Sequence, residues 1–277
     1  MQHHLDANRA NWDDRASAHA VRTGLGYGVQ RFVTDSALLS DVVSFDRDRL
    51  GDITGLNTVH LQCHIGTDTL SLARLGARVT GLDFSPIALA EARALVAETG
   101  DAVDFVESDL YSALTVLPPA SFDLVYTGIG ALCWLPSIER WAAVVAGLLV
   151  PGGRLFIREG HPILWAMDER LDDDLHLRFP YFEQQEPLEW DDDSTYVATD
   201  RPITNTKTYE WNHGLGEIVT ALLNAGLTLT MLVEHDSVPW EALPGQMLER
   251  PNGEFALDAF AGVAPLSYTI QAVKPAA

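Results

Sequence analysis

Val59-His60-Leu61-Gln62-Cys63-His64-Ile65-Gly66-Thr67 opens the region whose pattern decides the fold. An apolar, β-branched run over Thr58-Gln62 ends in a short turn, and apolar residues at helical spacing follow over Thr67-Leu75. This is a strand feeding a helix through a tight turn whose backbone N–H groups point at a ligand. The unit then repeats. Val79-Asp83, Val103-Ser108, Phe122-Thr127 and Arg154-Glu159 read as further strands, with helices over Pro86-Glu98 and Ile138-Val150. Ser85 is an N-cap before a proline at the first helical position, where a missing N–H costs nothing. Val150-Pro151-Gly152-Gly153 reads as a turn into the fifth strand. Five βα units in series predict a parallel sheet covered by helices.

Outward from this core, Leu215-Asn224 has helical spacing, and Leu227-Glu234 and Ser267-Val273 read as two last strands. Between Gly160 and Asn212 the alternation breaks. Trp165, Tyr181, Trp190, Tyr196 and Tyr209 are interleaved there with the acidic runs 172–174 and 191–193. The acidic runs read as solvated loop surface. The aromatics need a surface to bury against, which a lid over the sheet's ligand-binding edge provides. The expectation is one domain over 1–277, with a cap over 1–50, a core over 58–159, a lid insertion over 160–212, and the terminal helix and strands over 213–277.

Composition narrows the functions open to such a fold. The chain has 277 residues, 47% hydrophobic and 21% charged, as soluble globular domains do. No stretch approaches the roughly 20 apolar residues of a membrane helix, and the polar start is unlike a signal peptide, so a cytoplasmic protein is expected. Cys63 and Cys133 are the two cysteines, too few for a disulfide framework or a metal knuckle, and no carboxylate–histidine pair has ligand spacing. No metal is expected. A net charge of −21 repels a phosphate backbone, which argues against nucleic acid or an anionic membrane as substrate. His3 and His4 are given no role, and oligomeric state is not legible.

In open α/β sheets ligands bind beyond the carboxyl ends of the strands, so the residues after each strand are candidates. Asp83 ends the second strand about 20 residues after the first turn, where a carboxylate reaches both hydroxyls of a ribose. Glu107-Ser108-Asp109-Leu110 ends the third, where a carboxylate can accept from an adenine amino group. The pair fits an adenosine better than a dinucleotide, because the dinucleotide fingerprint requires glycines where this chain has Gln62 and His64.

Val59 to Ser85, Asp109-Leu110, Phe122 to Gly128 and Leu148 to Gly153 resemble successive motifs of class I S-adenosylmethionine-dependent methyltransferases. The resemblance implies an α/β, Rossmann-like seven-stranded, mostly parallel sheet with helices on both faces, and S-adenosyl-L-methionine as cofactor. It implies that the turn Gln62-Cys63-His64-Ile65-Gly66 holds the methionine part and Asp83 the ribose. Phe84, with Ser85 beside it, would cover one adenine face, Asp109 and Leu110 would meet the adenine edge, and Gly128 would offer its carbonyl to the methionine ammonium. One departure stands out: the family's acidic-x-Gly-x-Gly-x-Gly pattern appears as His60, Gln62, His64 and Gly66, and only the last glycine survives. Gln62 and His64 are expected to touch the methionine carboxylate or the surroundings of the sulfonium. The alternative for His64 is a structural imidazole satisfied by backbone.

Methyl transfer is an in-line displacement, so alignment supplies much of the rate and a base is needed only where the nucleophile loses a proton. Glu159, at the end of strand five, is expected to position the acceptor or act as base. His161 follows it, with a hinge before proline as its alternative. The N-terminal segments Asn11-Trp12-Asp13-Asp14-Arg15 and Gly24-Leu25-Gly26-Tyr27 are expected to fold over the cofactor, Trp12 covering it and Tyr27 meeting the acceptor, with a surface aromatic as the alternative for Tyr27. The aromatic insertion and Tyr209-Glu210-Trp211-Asn212-His213 also resemble bacterial small-molecule methyltransferases, and among them the indole C3-methyltransferases. The implied acceptor is a small aromatic metabolite. Methylation of oxygen or nitrogen on another aromatic, or a regulator that only binds the cofactor, are the other readings.

Overall fold

The computed structural model describes residues 2–22, 26–172 and 174–276, so that Gly24, Leu25 and Asp173 lie outside the described residues. Strands β1 (Asn57–Leu61), β2 (Arg78–Asp83), β3 (Val103–Glu107), β4 (Phe122–Thr127) and β5 (Leu149–Gly160) come first, then a hairpin of β6 (Leu188–Asp191) and β7 (Lys207–Glu210). After β8 (Thr228–His235) come β9 (Met247–Glu249) and β10 (Phe255–Leu257), a second hairpin, and β11 (Ser267–Val273). Seven strands form one sheet in the order β3-β2-β1-β4-β5-β11-β8, with β11 antiparallel to both neighbours. The expected α/β, Rossmann-like architecture is the observed one.

Helices α1 (Gln2–His19), α2 (Val29–Thr34), α3 (Asp41–Phe45) and α4 (Arg47–Leu50) precede the sheet, and α5 (Thr67–Arg74), α6 (Pro86–Thr99), α7 (Ala113–Val116), α8 (Ile138–Leu148), α9 (Pro162–Trp165) and α10 (Leu215–Asn224) follow its strands. Alternation along the strands sorts the core into two faces. Val59, Leu61, Val125, Leu155, Ile157 and Ile270 pack with the α8 and α10 stripe, in which Trp141 is fully buried. Leu124, Tyr126 and Phe156 point the other way, onto Val43, Leu50 and Leu72 of α3, α4 and α5.

Two segments differ from the sequence expectation. Helix α8 stops at Leu148, and Val150-Pro151-Gly152-Gly153 belongs to β5 instead of a separate turn. The strand reaches back because Gly152 N–H donates to the Lys274 carbonyl and Lys274 N–H to that of Gly153. A Cβ at Gly153 would lie 2.9 Å from the Phe122 carbonyl oxygen, so glycine is needed there. The connection 236–266, which the pattern of last strands passed over, carries β9 and β10. Its Val238, Leu243, Met247 and Leu257 form a separate core with Leu164 and Met167 of the insertion.

Helix α1 lies on β7, joined by side chains that imitate a neighbouring strand. Asn8 donates to the Tyr209 carbonyl at 2.7 Å and accepts from Tyr209 N–H at 2.8 Å. Asn11 donates to the Asn205 carbonyl, and one Asp14 oxygen accepts from the backbone N–H groups of Thr204 and Asn205. His4, given no role above, packs its ring 4.4 Å from that of Tyr209. Cap and insertion therefore dock as one body. Asn8→Ala strips two buried backbone groups of their partners at once and is expected to cost about 2–4 kcal/mol. Urea denaturation checks this, together with faster proteolysis in 188–210; an unchanged midpoint would show that α1 docks by other means.

Candidate functional site

A cavity of about 1110 Å³ opens at the carboxyl ends of β1 to β4, under α1 and the insertion. Its floor is the turn after β1, where Gln62 (φ 56°), His64 (φ 50°) and Gly66 (φ 78°) are all left-handed. The backbone thus keeps the conformation that glycine favours at three alternate positions although two of them carry side chains. Each non-glycine residue there costs about 1–2 kcal/mol, which the surrounding hydrogen bonds offset. Gln62 Nε2 donates to the Ala131 carbonyl at 2.9 Å, and its buried Oε1 has no partner among the described residues. His64 N–H donates to Asp83 Oδ2 at 2.8 Å. The His64 ring pairs with His19 Nδ1 at 2.9 Å, and His19 Nε2 with the Thr195 hydroxyl at 2.8 Å. Burial holds His64 down at about 3 and His19 well below its ordinary value, so both rings are neutral near pH 7 and one donates to the other.

Asp83 accepts from His64 N–H on one oxygen and Ser85 N–H on the other, and burial pushes its carboxyl up to about 6. Phe84, Asp109, Leu110, Gly128 and Cys63 line the cavity beside it. Trp12 closes it from α1, edge-on to Trp134 at 5.2 Å and to His64 at 4.9 Å. Tyr27 stacks on His19 at 4.8 Å and hydrogen-bonds the Tyr196 hydroxyl.

Four expected site residues do not face this cavity, and each has a physical reason. Ser85 is fully buried and caps α6, its hydroxyl accepting from Ala88 N–H and donating to Asp13. Gly66 is buried where a Cβ would lie 2.9 Å from that of Ala92, so it allows α5 to approach α6. Glu159, expected as base, is 2% exposed and accepts four backbone N–H bonds, from Gly160 and from the loop residues Gly130, Ala131 and Leu132. Both oxygens are committed to backbone. His161 caps α9 through Nδ1 and turns Nε2 to Glu234 at 3.0 Å.

The cavity also gathers residues the sequence reading passed over. Arg15 lies one turn beyond Trp12 on α1, and its buried Nε is without a partner among the described residues. Asp68 comes from the first turn of α5 and Glu210 from the end of β7. The i, i+3 spacing of Trp12 and Arg15 is the available signal for the first; Glu210 stands within the run Tyr209 to His213 quoted above, but only the fold brings it to this cavity. Aromatic pairs also line the cavity. Phe179 meets Trp190 edge-on at 5.0 Å, and Trp165 stacks on Trp240 at 5.9 Å. Gly160 permits this placement, because a Cβ there would lie 2.5 Å from the Trp165 ring.

Residues 59–155 match a family model described as a methyltransferase domain. Two ubiquinone biosynthesis O-methyltransferases are similar over part of their length. That of Cupriavidus pinatubonensis is 36% identical over 110 residues, 40% of this chain and 43% of that protein. That of Xanthomonas euvesicatoria is 34% identical over 106 residues, 38% of this chain and 44% of that protein. The matches thus span less than half of these relatives. Among solved structures, an S-adenosylmethionine-dependent methyltransferase from Mesorhizobium loti superposes with a TM-score of 0.57 at 23% identity, covering 84% of this chain and 98% of that one. A geranyl diphosphate C-methyltransferase from Streptomyces coelicolor, solved with S-adenosyl-L-homocysteine, gives 0.52 at 14% identity, covering 84% and 78%.

Glu159 as a backbone clamp predicts a stability phenotype. Glu159→Gln turns an amide NH₂ toward N–H donors and is expected to lose about 2–4 kcal/mol in urea denaturation. Full stability with abolished turnover would instead return Glu159 to the reaction.

Proposed function

We propose that this chain is a class I S-adenosylmethionine-dependent methyltransferase, as the matched methyltransferase domain supports, and that it transfers a methyl group from S-adenosyl-L-methionine to a small aromatic acceptor held beneath the insertion. The observation that carries this reading is the mixed lining of one cavity, which joins polar residues on the sheet's carboxyl edge to the aromatic rings of Phe179, Trp190, Trp165 and Trp240. A protein that only bound the cofactor needs no such aromatic walls.

The residues present fit that cofactor. Asp83, buried and bonded to backbone donors on both oxygens, has lone pairs left for the ribose hydroxyls. Phe84, Asp109 and Leu110 would frame the adenine, and the turn Gln62-Cys63-His64 the methionine part, with Arg15 available to the methionine carboxylate. The bound cofactor supplies an electrophilic methyl on a sulfonium. The protein's work is to align the acceptor, exclude water under α1 and the insertion, and accept a proton where the acceptor sheds one.

Glu210 takes the role first expected of Glu159. It lies in the cavity, and burial pushes its carboxyl up to about 7, with Glu169 adding to the rise and Arg15 opposing it. A carboxyl titrating there is well matched to general-base work at neutral pH. Flat walls suit a ring system through offset and edge contacts. With an indole as acceptor, methylation at C3 would place the ring N–H against Glu210 as charge develops. Methylation of a phenolic oxygen is the second reading, supported by the names of the O-methyltransferase relatives. Nitrogen methylation uses the same residues.

A product assay with indoles, phenols and aromatic amines, resolving the methylated atom, tests the proposal; no turnover of any of them overturns it, and no turnover of indoles removes the C3 reading. Because Glu210 is the active base only when ionised, kcat/KM is expected to rise about tenfold per pH unit below 7 and to level off above it. Glu210→Gln is expected to remove that limb and lower kcat about a hundredfold to a thousandfold. An unaltered profile would mean the acceptor keeps its proton or loses it to water.

A further inference from the structure

Asp68 is a carboxylate in the ligand cavity with no cation paired to it among the described residues. It stands in the first turn of α5, where the helix N-terminus favours negative charge. Its Oδ2 lies 2.9 Å from where a Cβ on Gly128 would sit, and in the same gap the His60 Nε2 comes within 3.7 Å of that point. Gly128 thereby keeps the space between the ends of β1 and β4 open, with a carboxylate on one side and an imidazole on the other. The imidazole brings no charge: burial holds His60 down at about 3, and its Nδ1 pairs with the Thr69 hydroxyl.

The end of β1 therefore offers a neutral ring at position 60, and the charge at this place comes from the next helix. Burial, with Asp41 adding to it and the Ser40 hydroxyl opposing it, pushes the Asp68 carboxyl up to about 6. Tyr27, Tyr126 and Tyr196 also feel its charge, and the buried Tyr126 hydroxyl has no partner among the described residues. None of these neighbours is cationic. A partly desolvated carboxylate with no cation beside it is costly unless a ligand supplies the opposite charge. The positive group that the methyltransferase resemblance puts at the Gly128 carbonyl would be the cofactor's α-ammonium.

We propose that Asp68 is the counter-ion of the cofactor's methionine ammonium, standing between β1 and β4 in place of a carboxylate on β1. The inference rests on the methyltransferase reading above. In this arrangement the ammonium donates to Asp68 and to the Gly128 carbonyl, while Gln62 Oε1, fixed as an acceptor because Nε2 is held on the Ala131 carbonyl, offers a third site.

Calorimetric binding of three probes tests it: S-adenosyl-L-homocysteine, its analogue lacking the α-amino group, and 5′-methylthioadenosine, which lacks the amino-acid part altogether. In the unaltered protein, S-adenosyl-L-homocysteine is expected to bind about tenfold or more tighter than the deaminated analogue, as befits a charge-assisted hydrogen bond in a buried site. Asp68→Asn is expected to erase that difference and leave 5′-methylthioadenosine affinity unchanged. Equal affinities of the first two probes in the unaltered protein overturn the proposal without any variant. So does an equal loss for all three probes in Asp68→Asn, which would mark Asp68 as structural. Failure of every adenosine probe to bind overturns the methyltransferase reading itself, and this proposal with it.

Discussion

The left-handed turn after β1 is the constraint on which the rest of the site depends. Gln62 and His64 hold backbone conformations that disfavour side chains, and they persist because hydrogen bonds over-determine them. His64 N–H is held by Asp83, and Gln62 by Ala131 on the neighbouring loop. That loop is in turn fixed by Glu159, whose carboxylate gathers the N–H groups of Gly130, Ala131 and Leu132. The ends of β1, β2, β4 and β5 are thus locked by side-chain-to-backbone bonds, and a ligand meets a floor that needs little reorganisation.

The same turn anchors what covers it. The His64 side chain leads through His19 to Thr195, joining floor, cap and insertion in one chain of hydrogen bonds between neutral groups. A glycine at position 64 would satisfy the backbone and break this link. Helix α1 is bound on its other side to β7 through Asn8 and Asn11. Trp12 and Arg15, on the α1 stretch between these attachments, are thereby set over the cavity.

What the sequence made legible follows from how local each signal is. Strand and helix periodicity, the Ser85-Pro86 cap and the spacing of Asp83 depend on neighbouring residues or on one βα unit, and the sheet, α6 and the position of Asp83 came out as expected. Glu159 misled because its position at a strand's carboxyl end is readable, whereas the backbone it meets belongs to the loop after β4. His161 reads as a polar group beyond β5, yet its ring is taken up by the start of α9 and by Glu234 on β8. Arg15, Glu210 and Trp240 come from three distant segments that no pattern joins. The connection 236–266 was passed over because its strands are three residues each, too short for periodicity to register.

Charge placement gives the site its chemical character. Burial raises Asp68, Asp83 and Glu210 while holding His60 and His64 neutral, so the cavity concentrates acceptors and carboxyls and carries few fixed cations. A site of this kind is incomplete without positive charge. A sulfonium cofactor with an α-ammonium brings two positive centres, and each carboxyl would ionise more readily once they are seated. An acceptor would then enter a cavity already closer to neutral. That order of events follows from electrostatics, since desolvating an acceptor beside uncompensated carboxylates is the less favourable path.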